Sequence, residues 1–586
     1  MISRISVAER VRLSAFLAHA VARRTVNRAT ALWVVHLPFW PGKSDRLVIA
    51  PQDLRTTDAT RAGEIYSGRF AFAGKVVICD ARSPFQIRPP SEEWARGLLG
   101  FGWLRHLRAA ESAITRANAR ALVDEWITYS ARDPIGWRPD VLARRIISWL
   151  TQATLVLDES DVVFYRRFIR SLTRQVRRLR HMMPEVRDGV PRLQAAIALT
   201  YAALCMAGQA SDIRAASKRL SEELDRQILP DGGHISRNPG ALIALLVDLL
   251  PLRQVFTSRN VPPPAALLNA IDRMMPMLRF FRHGDGHFAL FNGMGPTPTD
   301  LLTTILAYDD ARGTPVSNAP HSGYQRLESG GTLVIMDTGR PAPIAASQEA
   351  HAGCLGFELS TKLHRIVINC GLPATNRESW RAMARTTAAH STVTFNDVSS
   401  CRFARSGAVR RFLHGTPIIG GPRRVTVRRE EEDGATLVRA AHDGYADAFG
   451  LIHQRSITLS ADGGRLDGED FFQAAKGDAA PAGSDEFAVR FHLHPSIKAS
   501  RLSDSHGAML LLPNKEVWSF NAYEDRVEIE DSAYLAGSDG PRRTAQLVIH
   551  GRAREAPHVQ WSFSFVAASP IGIGRRSRAE EPQLPL

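Results

Sequence analysis

Three clusters of polar residues in this 586-residue chain could do chemistry. The first, LPDGGHISRNPG at residues 229–240, sets His234, Arg237 and Asn238 behind a Gly-Gly turn. A histidine can move a proton, and an arginine fork can hold a carboxylate through two parallel hydrogen bonds. The same residues also suit a polar interhelical turn in which Asn238 caps the next helix. The second, RHGDGHFALFNGMGP at 282–296, gathers His283, Asp285, His287 and Asn292 in a Gly-rich loop. Its His-x-Asp-x-His spacing could hold a metal, although such loops are more often solvated. The third runs from Gln348 to Asn396 and alternates like β-sheet. Leu355, Phe357 and Leu359 fall on one face, and Ile366, Ile368 and Cys370 on another. His351 and His390 sit at strand edges on either side. Histidines in an apolar run are costly unless hydrogen-bonded or ligated.

As a set, HAGCLGFEL, INCG and AAHSTVTFND resemble the opening of the C-terminal domain of the heparinase II/III-like polysaccharide lyases. A looser resemblance runs from about Trp94 to Ala567. It implies cleavage of an anionic, uronate-bearing, glycosaminoglycan-like polymer by β-elimination. Three jobs follow: neutralising the uronate carboxyl, removing the C5 proton, and protonating the leaving O4. The resemblance places residues 229–240 in the substrate cleft, with His234, Arg237 and Asn238 as catalytic candidates. The family commonly continues with Tyr-His, where this chain has Ala241 and Leu242. The family's catalytic tyrosine has no match, because no tyrosine occurs between Gln254 and Ala307. Tyr308 is the nearest substitute, with Tyr324 next and Tyr201 more distant. Glu349 stands where some relatives carry a catalytic histidine, and would act as a base only if burial raised its pKa. GWRPDVLARRIISWL resembles the family's Trp-plus-Arg helix and places Trp137 and Arg145 at the substrate. Arg192 and Asn292 complete the substrate-binding candidates. His351, Asn369 and His390 match a structural zinc set whose Asp has become Asn369. A neutral amide offsets no cationic charge, so Asn369→Asp is expected to raise zinc affinity.

Positioning these clusters takes a large scaffold, and the chain is long enough for several cores. Hydrophobic residues make up 44% and charged residues 23%, which excludes a disordered chain. The net charge of +15 points to anionic partners, an acidic polysaccharide, nucleic acid or anionic lipid, and the resemblance implies the first. No recognised motif supports nucleic acid. The five scattered cysteines form no CxxC and read as small buried residues.

The expected fold class is multidomain α+β, an N-terminal α/α toroid followed by a C-terminal antiparallel β-sandwich. Residues 1–90 read as an amphipathic helix and a mixed segment. Residues 91–322 show apolar recurrence at three and four residues, and the resemblance selects the toroid among helical arrays. Residues 323–573 alternate in short Gly- and Asp-broken runs, as in a sandwich. Residues 574–586 read as a disordered tail. No apolar run approaches the ~20 residues that span a bilayer. The N-terminal helix is expected to pack on the domain, with peripheral membrane contact as the alternative. There is no clear signal peptide. The resemblance suggests the cell envelope or periplasm, with the cytoplasm as the alternative. Two functions stand open: the lyase, and a non-catalytic or differently catalytic (hydrolase-like) protein that handles anionic glycan.

Overall fold

The computed structural model describes every residue except 1–6, 36–45, 81, 130–132, 209, 309–313, 375–377, 405, 414, 476–484 and 569–586. The expected polar tail lies outside the described residues. Helix α1 (Val7–Val35) is followed by α2 (Ala59–Tyr66) and the hairpin β1 (Arg69–Phe72) and β2 (Lys75–Ile78). The helical array then runs through α3 (Glu92–Leu99), α4 (Leu104–Ala109), α5 (Ala113–Tyr129), α6 (Pro139–Thr151), α7 (Ala153–Leu157), α8 (Val162–Met182), α9 (Val190–Cys205), α10 (Ala210–Gln227), α11 (Gly240–Ser258), α12 (Ala265–Phe280) and α13 (Thr299–Ala307).

Local sequence sets these boundaries. Ser91 and Asp161 accept the Trp94 and Phe164 amides and so cap α3 and α8, and Pro139 opens α6. Helix α8 buries Phe164, Phe168, Leu172 and Leu179 and turns its arginine-rich side outward. Helix α11 is long and apolar enough to cross a membrane, contrary to the expectation from the sequence, yet 72% of its apolar window is buried in the protein. Its Asp248 explains the location: the buried carboxylate is held by Arg55 at 2.9 Å and Arg144 at 3.2 Å. It is a core helix, and it packs on α9 and α12.

The C-terminal half is an antiparallel sandwich. One sheet contains β3 (Asn318–Ala319), β4 (Tyr324–Ser329), β5 (Thr332–Asp337), β6 (Phe357–Thr361), β7 (His364–Ile368), β8 (Val393–Phe395), β15 (Glu486–Leu493), β19 (Val527–Tyr534) and β20 (Arg542–Arg552). The other contains β11 (Val425–Glu432), β12 (Ala435–His442), β13 (Leu451–Leu459), β14 (Arg465–Ala474), β16 (Lys498–Arg501), β17 (Gly507–Leu511), β18 (Glu516–Asn521) and β21 (His558–Ala568). A small pair, β9 (Arg402–Phe403) and β10 (Ile418–Gly420), stands apart.

The central strands of the first sheet, β5 to β7, are buried on both faces. Along β5, Leu333 and Ile335 join the toroid core while Val334 and Met336 join the sandwich core. A strand covered on both sides reads as an unbroken apolar run, which is why this one is TLVIMD. The alternation expected over Ile366–Cys370 breaks at a bulge. Leu359 pairs with Val367 and Ser360 with Arg365, leaving Ile366 as the extra residue. Ile366 and Val367 therefore both pack in the sandwich core, and Ile368 packs toward the toroid.

Candidate functional site at the toroid–sandwich seam

The loop between α10 and α11 carries the first polar cluster to the seam. Arg237, in the left-handed region at φ 61°, inserts its guanidinium into the sandwich. Its Nε donates to the Ser322 carbonyl at 2.7 Å. Its Nη1 donates to the carbonyls of Gly339 at 3.3 Å and Arg340 at 3.0 Å. Its Nη2 donates to the Gly323 carbonyl at 3.0 Å and to Asp337 Oδ1. A Cβ on Gly339 would fall 2.4 Å from Nη2, so only glycine lets the fork lie flat there. The guanidinium also stacks 4.7 Å from the Tyr324 ring centroid. The Tyr324 hydroxyl donates to the Arg237 carbonyl at 2.6 Å and accepts from Asn292 Nδ2 at 2.7 Å. Asn292 Nδ2 also reaches Asp337 Oδ2 at 3.0 Å. Burial holds the Tyr324 phenol well above its ordinary range.

The other expected residues are engaged in the same way. His234 Nδ1 accepts the Ser236 amide at 3.1 Å, which leaves Nε2–H to donate to Gln227 Oε1 at 3.0 Å. Burial, with Arg226 nearby, lowers its pKa to about 3, so the ring is neutral. Gln227 passes the chain to Glu223, which accepts from Arg192 Nε at 2.7 Å. Arg192, expected at the substrate, is thus a structural partner of Glu223. Asn238 Oδ1 accepts the Gly240 amide at 2.8 Å, a turn just before α11, whose N-cap is Pro239 rather than the expected Asn238. Arg145, expected in the cleft with Trp137, is fully buried in the toroid. It donates to Gln175 Oε1 and to the carbonyls of Leu99 and Gly136, and lies 4.0 Å from the Trp126 centroid. Arg174 and Arg178 lie 5.0 and 4.7 Å from the Trp137 centroid. An Arg–Trp pair on a helix looks the same in sequence whether it faces core or cleft. Tyr308 donates to Gln52 Oε1 at 3.0 Å, and Tyr201 is buried against the Asp248 carbonyl at 2.7 Å. Glu349 is half exposed and ion-paired with Arg381 at 2.7 Å.

The second cluster splits. His283 lies 3.1 Å from Glu358 and 2.8 Å from Ser360, while Asp285 pairs with Arg365 at 2.8 Å and accepts the His287 amide at 2.9 Å, with the partly exposed His287 ring 3.4 Å away. The loop's three candidate metal ligands do not converge.

His351 and His390 do come together, 3.0 Å apart between Nδ1 and Nε2. The tautomers follow from the next partner. His390 Nδ1 must donate to the Thr386 carbonyl, 2.8 Å away, so its Nε2 is the acceptor. His351 then donates from Nδ1 and keeps a bare lone pair on Nε2, which is buried and makes no hydrogen bond. Asn369 is close by but serves others: its Oδ1 accepts the Ser391 amide at 3.0 Å, and its Nδ2 donates to Glu358 Oε1 at 3.0 Å. This donor set does not fit a tight zinc site. The lone pair of His390 is taken by His351, the amide oxygen is taken by Ser391, and no ligand among the three carries negative charge.

Glu358 was not legible as a site residue. It is fully buried, and Oε1 also accepts the Leu290 and Asn369 amides at 2.8 and 3.1 Å. Its signal was an acid inside the apolar strand FELST. Because Asn369 feeds Glu358, Asn369→Asp would set two carboxylates face to face. The variant is expected to lose about 2–3 kcal/mol of stability, with no recovery on adding zinc. Thermal melts with and without zinc check this; recovery by zinc would contradict it.

An open cleft of about 610 Å³ lies beside this seam. Arg96, Arg138 and Arg187 line it together with Asp140, Glu185 and Asp188. The sandwich contributes Gln348, next to Glu349, and α1 forms a wall through Phe16, Ala20 and Arg23. Glu9 anchors α1 to Arg402 by a buried ion pair, Oε2 to Nε 2.9 Å.

The α/α toroid joined to an antiparallel sandwich is the fold of the solved heparinase structures. The chain belongs to the heparinase II/III-like family. The family model described as heparinase II/III-like, C-terminal, matches residues 311–562. FtsZ-localized protein C of Caulobacter vibrioides is 32% identical over 533 residues, covering 89% of this chain and 91% of that protein. A heparan sulfate lyase HepC mutant from Pedobacter heparinus superposes with a TM-score of 0.62 at 14% identity, over 94% of this chain and 88% of that one. A heparinase III structure gives 0.63 at 13% identity, over 84% and 79%. At such identities the likeness is one of fold.

Proposed function

We propose that this chain is a non-catalytic member of the family that binds anionic glycan and localises with FtsZ. The observation that carries this reading is the closed network of Arg237, Asp337, Asn292 and Tyr324. β-Elimination needs a free cation or amide for the carboxyl, a base for C5 and an acid for O4. Here Arg237 already has five protein acceptors, the Tyr324 proton is held by a carbonyl, and both ring nitrogens of His234 are engaged. Glu349 is half exposed and its carboxylate is paired with Arg381. Arg96 and Arg138 of the cleft are paired with Glu92 and Asp140, so the attraction for an acidic polymer rests on the net charge of +15. The likeness to FtsZ-localized protein C extends over most of both chains and supports the localisation.

Incubation with a panel of uronate polymers should give no rise in the ultraviolet absorbance of the unsaturated product. Binding to the same polymers should weaken as salt is raised, because exposed charges are screened within ~10 Å at 0.1 M. Turnover to unsaturated product would restore the lyase reading. A fluorescent fusion should follow FtsZ, and a distribution indifferent to FtsZ would count against the localisation. Fractionation decides between the envelope and the cytoplasm. The outward Val11, Val21 and Val26 of α1 leave a face for peripheral membrane contact, which vesicle flotation tests.

A further inference from the structure

A second cavity, of about 250 Å³, shares Arg96 with the cleft but opens among α2, β1, α3, α4 and α6. Arg61, Arg69, Arg105, Arg144 and His106 line it, and Glu64 is the one carboxylate among its lining residues. The positive charge is incompletely matched. Among the described residues, Arg61 and Arg69 make only long carboxylate pairs, 3.8 Å to Asp58 and 3.7 Å to Glu64. Arg144 shares Asp248 with Arg55, and its Nη2 is buried with no hydrogen bond. Arg105 is held by the carbonyls of Thr56 and Gly102 and pairs with no carboxylate among the described residues. A Cβ on Gly102 would stand 3.3 Å from Arg105 Nη1, so glycine makes room for this fork. His106, only 5% exposed, accepts the Asp58 amide on Nδ1 at 3.1 Å. That fixes the tautomer and leaves Nε2–H as the donor of a ring lining the cavity.

We infer that this cavity is a binding site for a tetrahedral dianion, the phosphate group of a small molecule or sugar ester. Several converging guanidiniums and a neutral N–H donor match three oxygens carrying nearly two charges. A monoanionic carboxylate would leave part of the charge unmatched. Burial and the nearby Arg105 keep His106 neutral, down to about 4, so the donor persists across the physiological range. The site is separate from the glycan reading and stands without it.

Isothermal titration of the full chain with inorganic phosphate, and with a hexose 6-phosphate, tests the inference at fixed ionic strength. Saturable binding of either is expected, and the tighter of the two identifies the source as free phosphate or ester. Arg105→Gln and the exposed Arg61→Ser should each weaken it roughly tenfold, the value of a lost charge-assisted hydrogen bond. Arg61 lies on the surface, so its loss leaves the fold intact even if Arg105→Gln disturbs it. Sulfate binding alongside phosphate supports a dianion site. The inference is overturned by no saturable heat, by unchanged affinity in both variants, or by acetate binding as tightly as phosphate.

Discussion

Replacing Arg237 with Met is expected to destabilise the protein by about 4 kcal/mol, within the range for breaking a buried ion pair. The change strands Asp337, which is 1% exposed, and removes the donor from four backbone carbonyls. Lysine should rescue little, because three donors on one atom cannot serve five acceptors spread around a planar fork. The double variant Arg237→Met with Asp337→Asn should recover part of the loss, since the uncompensated charge is then gone. Calorimetry of the set checks this, and an unchanged melt for Arg237→Met would refute it.

Acidification should produce the second large effect. Burial depresses His234 to about 3, His390 to about 4 and His492 to about 3, and holds His351 well below its ordinary value. In the unfolded chain each titrates near 6.5. Between those values the unfolded state binds more protons, so stability is full above about pH 6.5 and falls as the pH drops towards 4. Each pKa unit is worth about 1.4 kcal/mol, and four rings act together. The melting temperature is expected to fall on the order of 10 °C between pH 7 and pH 5. The depressed carboxylates Asp285 and Asp470 contribute only at lower pH, because their ordinary values lie near 3.8. His390→Gln, which cannot take up a proton, should flatten the slope. A melting temperature constant from pH 7 to pH 5 would refute the argument.

The architecture was legible because periodicity is written residue by residue. Helices α5, α6 and α8 and the strands around Phe357 follow their apolar spacing, and the change of texture near Gly323 coincides with β4. The closeness of His351 and His390 was also legible, although both rings come from loops rather than strand edges, His351 ahead of β6 and His390 ahead of β8. The partners of Arg237 were not. Four of its five acceptors are backbone carbonyls between residues 322 and 340, and a carbonyl leaves no mark in a sequence. Asp337 was visible as an acid closing the run TLVIM, and Glu358 as an acid within FELST; each marks a buried cation or a cluster of amides. Asn369 was misleading for a related reason, because an amide beside two histidines reads as a ligand until its carboxylate neighbour is seen.

The seam also bears on modularity. Arg237 belongs to a loop of the toroid, yet all its acceptors lie in residues 322–340, and Asn292 hands Asp337 back to the helical half. A cut anywhere between the two halves leaves a cation without its anion on one piece and an anion without its cation on the other. Two architectures thus share one buried ion pair, so fragments exchanged with relatives are expected to fold only when they carry Arg237 and Asp337 together.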